Sequence, residues 1–235
     1  MDCQQQIEFS RIRTTKEIFS DFLFFLKTEW KSYGIALCVT VLPFALISAY
    51  FVSTGDITDI EDNSLFYAIL ISLIGKFFGT FISCAYVANY INGNKNDFDT
   101  IKSYVFKYFN LAFLTGSLSL IILILGLLLY IIPALLVLPP LSFMLYDALF
   151  AQQRPVFSFV RCIKLCKTNW KQCFAVVYLC YGFIFFASLL LGTIIPESNN
   201  FATIFFSSIL TVASETIMIP FILLYYSLGN QNMQI

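Results

Sequence analysis

Two ionisable residues, Lys76 and Glu215, lie deep inside apolar segments of the chain. A charge at the centre of a bilayer costs roughly 2.5–3.5 kcal/mol, and such residues line ion paths or pair with one another. Both follow the start of their segments by a similar number of residues, so their predicted depths differ by about 3 Å. The sequence therefore predicts that they pair inside a helical bundle. Three interpretations stay open: a structural lock, part of a substrate or ion path, and two unrelated side chains that snorkel toward the interface.

Small residues near Lys76 lie on one face of its predicted helix. Gly75, Gly79 and Ser83 recur every four residues, which places them on one face of a helix. Small side chains at this spacing let two helix backbones approach closely in a membrane. The spacing predicts a packing face, either within one molecule or between two copies in a homodimer.

The chain has seven cysteines and no histidine, so the commonest general base and transition-metal ligand is missing. Four cysteines would share one face of a continuous helix, where small apolar packing is favoured over a metal or acylation site: Cys162, Cys166, Cys173 and Cys180. The sequence contains no phosphate-binding glycine loop, nucleophile elbow or HExxH motif. It therefore predicts no catalytic residue, no metal and no cofactor.

Four prolines are predicted to break helices, because proline lacks an amide donor and clashes with the preceding turn. They are Pro133, Pro139, Pro140 and Pro220. Broken helices line substrate sites in transporters, and kinked helices also occur where helices merely pack. The prolines alone do not separate these two interpretations.

The composition places all of these residues in a membrane protein. Of 235 residues, 59% are hydrophobic and 12% are charged, whereas soluble domains average about 45–50% and 25%. Six apolar segments are long enough to span a bilayer, at about 32–53, 64–91, 108–130, 134–150, 172–195 and 201–228. The predicted fold is an all-α single membrane domain, 1–235, with six transmembrane helices in three hairpins.

Positive charge is confined to one side of this predicted bundle. Every basic residue except Lys76 falls before the first span, between spans two and three, or between spans four and five: Arg11, Arg13, Lys16, Lys27, Lys31, Lys95, Lys102, Lys107, Arg154, Arg161, Lys164, Lys167 and Lys171. Because basic loops stay in the cytoplasm, this partition predicts that both termini are cytoplasmic. The net charge of zero provides no field that would recruit nucleic acid.

The two tryptophans lie in a repeated phrase, KTEWK at 27–31 and KTNWK at 167–171. Each phrase ends a predicted amphipathic helix, about 14–31 and 154–171, that lies in the cytoplasmic interface, and residues 98–109 form a weaker third copy. An internal duplication and convergent anchoring both explain the repeat. Tryptophan suits the headgroup layer and lysine attracts anionic lipid, so the predicted interfacial anchors are Trp30, Lys27, Lys31, Trp170, Lys167 and Lys171.

Two short signals accompany these interfacial helices. Thr14 and Glu17 are spaced as a capping box, in which a hydroxyl and a carboxylate satisfy free amides at the start of a helix. Asp147 lies near the end of the fourth span, just before the second interfacial helix. It is predicted to be a surface acid or a partner of the basic residues that follow.

Residues 131–150 and 157–174 resemble a family of bacterial six-helix membrane proteins. The shared features are an Ile-Ile-Pro turn at 131–133, a proline-broken span and an amphipathic helix ending in Lys-x-Asn-Trp at 167–170. This family is similar to the membrane domain found ahead of some glycerophosphodiester phosphodiesterases. Cys162 and Thr168 depart from its pattern, which has serine and glycine there. The resemblance implies a bacterial inner-membrane fold without an assigned reaction, because the phosphodiesterase chemistry belongs to a separate soluble domain.

The sequence thus favours a non-enzymatic membrane scaffold or accessory subunit that organises membrane lipid or a partner complex through its basic helices. The partner would be another membrane protein or a second copy of the chain. A small transporter or channel component that uses Lys76 and Glu215 is the second interpretation. A membrane-embedded lipid enzyme is the third.

Overall fold

The computed structural model of the protein describes residues 11–54, 63–91, 96, 98–129, 131–194 and 200–233. Every regular element in these ranges is an α-helix, as predicted: α1 (Thr15–Thr54), α2 (Ser64–Ile91), α3 (Phe98–Leu129), α4 (Ile131–Phe150), α5 (Pro155–Thr168), α6 (Trp170–Ile194), α7 (Asn200–Glu215) and α8 (Met218–Met233). Six helical stretches of the described chain are long and apolar enough to cross a membrane, which confirms the predicted number of spans by length and composition. The sixth stretch, Phe201–Gly229, comprises most of α7 and α8.

The chain divides into two compact units. The first unit holds the chain up to Trp30, Cys84–Tyr178 and the chain from Ile219. In this unit α3 packs against α4, and α4 packs against α5. Its core is rich in fully buried aromatic rings, and the rings of Phe143 and Phe221 meet edge to face at 6.3 Å.

The second unit holds Lys31–Ser83 and Leu179–Met218. Its part of α1 buries Tyr33, Leu37 and Val41, which lie one turn apart on one face. Phe44 of α1 stacks on Phe78 of α2 at 5.8 Å between ring centroids. These contacts pack the first two spans along one another.

The start of α1 has the predicted capping box. The Thr14 amide donates to Glu17 Oε2 at 2.7 Å, and the Glu17 amide donates to the Thr14 hydroxyl at 3.4 Å. The Thr14 hydroxyl also donates to Glu17 Oε2 at 2.8 Å. This confirms the predicted helix start, because two amides that would lack partners in the first turn are satisfied reciprocally.

The predicted interfacial helices differ from the structure in two of three places. The segment 14–31 is not a separate helix, because α1 continues without a break from Thr15 to Thr54. Residues 98–109 likewise continue into the third span as part of α3. The third segment, near 154–171, does form a helix of its own, α5. Neither KTEWK nor residues 105–115 contain glycine or proline, so nothing in the local sequence ends the helix there.

The helix ends at Asn169 in the second copy of the phrase. Asn169 follows α5 with φ −128° and ψ 45°, outside the helical region, and α6 begins at the next residue. Its carbonyl accepts hydrogen bonds from the amides of Gln172 and Cys173, both at 3.1 Å. Asparagine is a weaker helix former than glutamate, so the change from Glu29 to Asn169 agrees with the different outcomes.

Pro139 and Pro140 do not break the fourth span, contrary to the prediction, and α4 runs through both. A proline frees the carbonyl four residues before it, which for Pro139 is that of Leu135. The hydroxyl of Tyr178, on α6, donates to this Leu135 carbonyl. A neighbouring helix thus supplies the missing donor, and α4 continues.

The other two predicted breaks lie near helix ends. Pro133 is in the first turn of α4, where a missing amide leaves no intrahelical hydrogen bond unmade. The sixth span is interrupted at Thr216 and Ile217, between α7 and α8, just before Pro220. Pro220 cannot donate to the Thr216 carbonyl, which is consistent with an interruption at that place.

Candidate functional site

Glu215 is the last residue of α7 and lies where the sixth span is interrupted. It is 2% exposed, and its Oε2 atom has no hydrogen-bond partner within the described ranges. The Thr80 hydroxyl lies beside the carboxylate, and the Tyr33 hydroxyl lies 3.5 Å from the Glu215 backbone carbonyl. A buried carboxylate with one open acceptor atom can bind a proton or a cation, since either removes the penalty of an unmatched buried charge.

The small-residue face of α2 makes the space for this carboxylate. A Cβ atom on Gly79 would lie 2.8 Å from Glu215 Oε2 and 2.9 Å from its Cδ, closer than real Cβ contacts come. A Cβ atom on Gly75 would lie 2.8 Å from Cβ of Phe44. Ser83 shares a 2.7 Å hydrogen bond with the Tyr33 hydroxyl. All three small residues therefore contact α1 or α7 of the same molecule.

Lys76 lies one turn before Thr80 on α2, and its side chain is exposed. Lys76 interacts electrostatically with Glu215. The ion pairs within 4.0 Å in the described chain are Arg11–Glu17, Arg13–Asp21 and Arg161–Asp147, so Lys76 and Glu215 do not form a direct pair. Lys76 and Glu215 thus belong to the same unit and interact electrostatically at a distance. Only Glu215 is buried.

A second polar centre lies in the first unit at Asp147. This residue is fully buried, whereas one of its two predicted roles was a surface acid. Arg161 Nε, on α5, lies 3.4 Å from Asp147 Oδ1, and the Tyr225 hydroxyl donates to the same oxygen at 2.9 Å. The other predicted role, a partner of the basic helix that follows, is confirmed by this ion pair. Asp147 Oδ2 has no hydrogen-bond partner in the described part of the chain.

Arg13 joins the start of the chain to two later helices of the first unit. Its amide donates to the Ser227 hydroxyl at 2.8 Å, and its carbonyl accepts from Gln172 Nε2 at 2.7 Å. Its buried guanidinium donates through Nε to Asp21 Oδ2 at 2.8 Å. In the sequence, Arg13 was only one of the basic residues that indicate orientation. Gln172 and Ser227 lie 159 and 214 residues away, so no local pattern predicted these contacts.

The outward face of α5 is apolar and basic. α5 buries one face, with Ser158, Cys162, Leu165 and Cys166, against the rest of its unit. Opposite this face, Val156, Val160 and Ile163 are spaced by one helical turn each and are exposed. Lys164 and Lys167 are exposed beside them.

The six predicted interfacial anchors are exposed. Trp30 and Trp170 keep more than half of their surface accessible, at 59% and 56%. The Lys171 ammonium lies 5.9 Å from the centre of the Trp170 ring, within range of a cation–π contact. Trp170 begins α6, whereas Trp30 lies within α1. Exposed aromatic and lysine side chains of this kind are able to reach a headgroup layer.

The buried cysteines pack as small apolar groups. The pKa of the Cys162 thiol is raised by burial and by the nearby Asp147 carboxylate. The pKa of the Cys166 thiol is raised by its hydrogen bond with Cys173 and by burial. Both thiols therefore stay protonated at neutral pH, and a protonated thiol is a poor nucleophile and metal ligand. The described residues contain no group of three or more cysteine or acidic side chains that could hold a metal ion.

Comparisons with known proteins leave the resemblance found in the sequence as a prediction. No protein-family model, curated protein or solved structure matches the chain. The candidate sites are a buried carboxylate in the second unit, and a buried acid and an exposed basic helix in the first.

Proposed function

We propose that this protein is a non-enzymatic scaffold or accessory subunit of the bacterial cytoplasmic membrane that organises anionic lipid at the cytoplasmic face. Both chain termini and α5 would lie on that side, in agreement with the distribution of lysine and arginine. The observation that carries this proposal is the outward face of α5, an exposed apolar stripe with lysines beside it.

An apolar stripe flanked by lysines suits the boundary between acyl chains and headgroups. Val156, Val160 and Ile163 would lose contact with water there, and each Lys near an anionic surface contributes about 1 kcal/mol of attraction. The buried face of α5 fixes this orientation, because Arg161 is paired with Asp147 of α4. α5 is thereby held so that its other face is free for lipid.

The test measures which lipids surround the protein. Wild-type protein and the double variant Lys164→Gln, Lys167→Gln are extracted with their native lipid into polymer-bounded nanodiscs, and the ratio of phosphatidylglycerol to phosphatidylethanolamine is compared with that of the whole membrane. We expect enrichment of phosphatidylglycerol around the wild-type protein and a ratio close to that of the whole membrane for the variant.

The matched control is Lys164→Arg, Lys167→Arg, which keeps both charges and should keep the enrichment. Equal enrichment in the wild-type and glutamine variants would contradict the proposed role of α5.

A small transporter or channel component is the second candidate, and the buried carboxylate of Glu215 at the interrupted sixth span favours it. In liposomes under a membrane potential, proton flux through the wild-type protein would be compared with the double variant Lys76→Met, Glu215→Gln. A transporter loses its flux in this variant and keeps it when the α5 lysines are replaced. If the protein is a scaffold, Lys76→Met, Glu215→Gln keeps the enrichment of phosphatidylglycerol, and replacement of the α5 lysines abolishes it.

A further inference from the structure

A groove of about 680 Å³ opens in the first unit between α3 and the segment that leads into α5. One wall is a stripe of three leucines on α3, Leu111, Leu114 and Leu118. The other wall is the segment 152–157. This volume is within the range of pockets that bind small organic ligands. The groove is thus an apolar slot with one leucine-lined wall along a helix long enough to span a membrane.

The rim of the groove is polar, and its only charged residue in the described part of the chain is the positively charged Arg154. Arg154 is exposed and has no ion-pair partner among the described residues. Gln152 and Gln153 stand beside it, and no acidic residue lines the groove. Gln152 Nε2 donates to the Tyr108 hydroxyl at 2.8 Å, which holds this side of the rim against α3. A ligand at the rim would therefore meet a positive charge with no competing carboxylate.

The first turn of α5 adds donors at the same place. Arg154 precedes the helix without capping it through its side chain, and Pro155 occupies the first helical position. The amides of Val156 and Phe157 therefore have no acceptor within the helix. Free amides and the positive end of the helix dipole both favour an anion.

We propose that this groove binds one anionic phospholipid. One acyl chain lies along the leucine stripe of α3, and the phosphate lies at Arg154 and the first turn of α5. The leucine wall selects a lipid over a free anion, because a soluble phosphate gains nothing from apolar surface. The proposal rests on the proposed lipid-organising function and adds a defined site to it. The outward face of α5 attracts many lipids weakly, whereas the groove holds a single one.

The test counts lipids that remain on the protein. Protein is released from nanodiscs that contain phosphatidylcholine and phosphatidylglycerol, and native mass spectrometry records the fraction carrying one phosphatidylglycerol. We expect one retained molecule on the wild-type protein and about tenfold less retention in Arg154→Gln, the size of a lost charge-assisted hydrogen bond. Leu114→Trp should also reduce retention, because the larger side chain fills the groove.

Two matched controls separate the groove from general effects. Leu128→Trp places the same ring on an exposed position of α3 outside the groove and should keep the lipid. Lys102→Gln removes an exposed charge from α3 and should also keep it. Equal retention in Arg154→Gln and wild-type protein, or equal loss in Leu114→Trp and Leu128→Trp, would overturn the proposal. Displacement of the lipid by excess inorganic phosphate would also overturn it, because the occupant would then be a soluble anion.

The two proposals fail in different ways. If Lys164→Gln, Lys167→Gln abolishes general enrichment of anionic lipid but leaves the single bound molecule, the proposed function and the groove both stand. If enrichment depends on those lysines and no single molecule is retained, the groove alone is wrong. If a single molecule is retained and the lysines have no effect on enrichment, the proposed role of α5 is wrong.

Discussion

At position 79 of α2 the side chain is a single hydrogen atom, and the carboxylate of Glu215 occupies the space that a methyl group would need. The sequence marked both residues, Glu215 as an intramembrane charge and Gly79 as part of a small-residue face. The sequence did not predict that the two residues contact each other. The spacing of small residues predicts a close approach of two helices, but it does not identify which residue packs against them. In the structure the small residue accommodates an acid.

Alanine at position 79 should therefore destabilise the protein. We expect Gly79→Ala to lower the free energy of unfolding by about 1–3 kcal/mol, the usual effect of forcing extra atoms into a packed site. The loss should largely disappear in a Glu215→Ala background, where the crowded atoms are absent. Unfolding in mixed detergent micelles, followed by circular dichroism, measures all four proteins of this cycle.

Gly34→Ala is the matched control for this cycle. It also places alanine in a helix of the second unit, but a Cβ atom there meets nothing within 4 Å. Alanine is the better helix former by about 1 kcal/mol, so Gly34→Ala should keep or raise stability. Additive effects of Gly79→Ala and Glu215→Ala would show that the two sites do not interact.

Burial of polar residues was the least predictable property at the residue scale. Asp147 and Arg13 lie in segments whose hydropathy gives no hint that they are enclosed. Their partners, Tyr225 and Ser227, are on α8, far along the chain. Hydrophobic periodicity reports which face of a helix avoids water, but the pairing of distant helices decides which polar groups meet.

At the scale of elements, the two copies of the repeated phrase differ in one residue and in structure. KTEWK lies inside α1, where Glu29 accepts a 2.6 Å hydrogen bond from the Tyr86 hydroxyl. KTNWK contains the junction between α5 and α6 at Asn169. The sequence predicted an interfacial helix before each copy, because hydropathy shows where a lipid-facing stripe begins but not whether the backbone continues through it. Only the second copy has a residue that favours leaving the helix.

Glutamate at position 169 should bring the two helices toward one continuous helix. We expect that Asn169→Glu shifts the distance between spin labels at Val160→Cys and Ala175→Cys toward about 22 Å, the value for 15 residues of unbroken helix. Pulsed electron resonance in nanodiscs measures the distance. All seven native cysteines are replaced by serine in all of the proteins.

Asn169→Asp is the control, because aspartate is also a weak helix former and should leave the distance unchanged. An unchanged distance in Asn169→Glu would mean that the packing of α5 against α4 sets the junction, and not the residue at position 169.

For the whole molecule, the number of spans was predictable and their grouping was not. Apolar runs of sufficient length identify helices that can cross a bilayer, and the six predicted segments correspond to six such stretches. The division into two units depends on which helices pack together. Apolar helices in a membrane are similar in composition, so composition carries little information about their partners.

The orientation of the molecule is a further prediction from the charge distribution. A membrane-impermeant maleimide applied to intact cells should label Asp59→Cys, in the acidic sequence between the first two predicted spans, and should label Lys167→Cys only after the membrane is permeabilised. Cys3 and the exposed Cys38 are replaced by serine in all of these proteins. The parent protein without either new cysteine is the control and should stay unlabelled in intact cells, because its other cysteines are buried. The opposite labelling pattern would invert the proposed orientation and would place α5 on the outer face.

α1 has 40 residues in one helix, which at 1.5 Å per residue is about 60 Å long. A bilayer with its headgroups is only about 40–45 Å thick, so a part of α1 must project from it unless the helix tilts steeply. α1 contributes Thr15–Trp30 to the first unit and Lys31–Thr54 to the second. Ile18 is fully buried in the first of these parts, and Leu37 is buried in the second. One helix thus supplies core residues to both units, so a substitution that breaks its backbone should destabilise both.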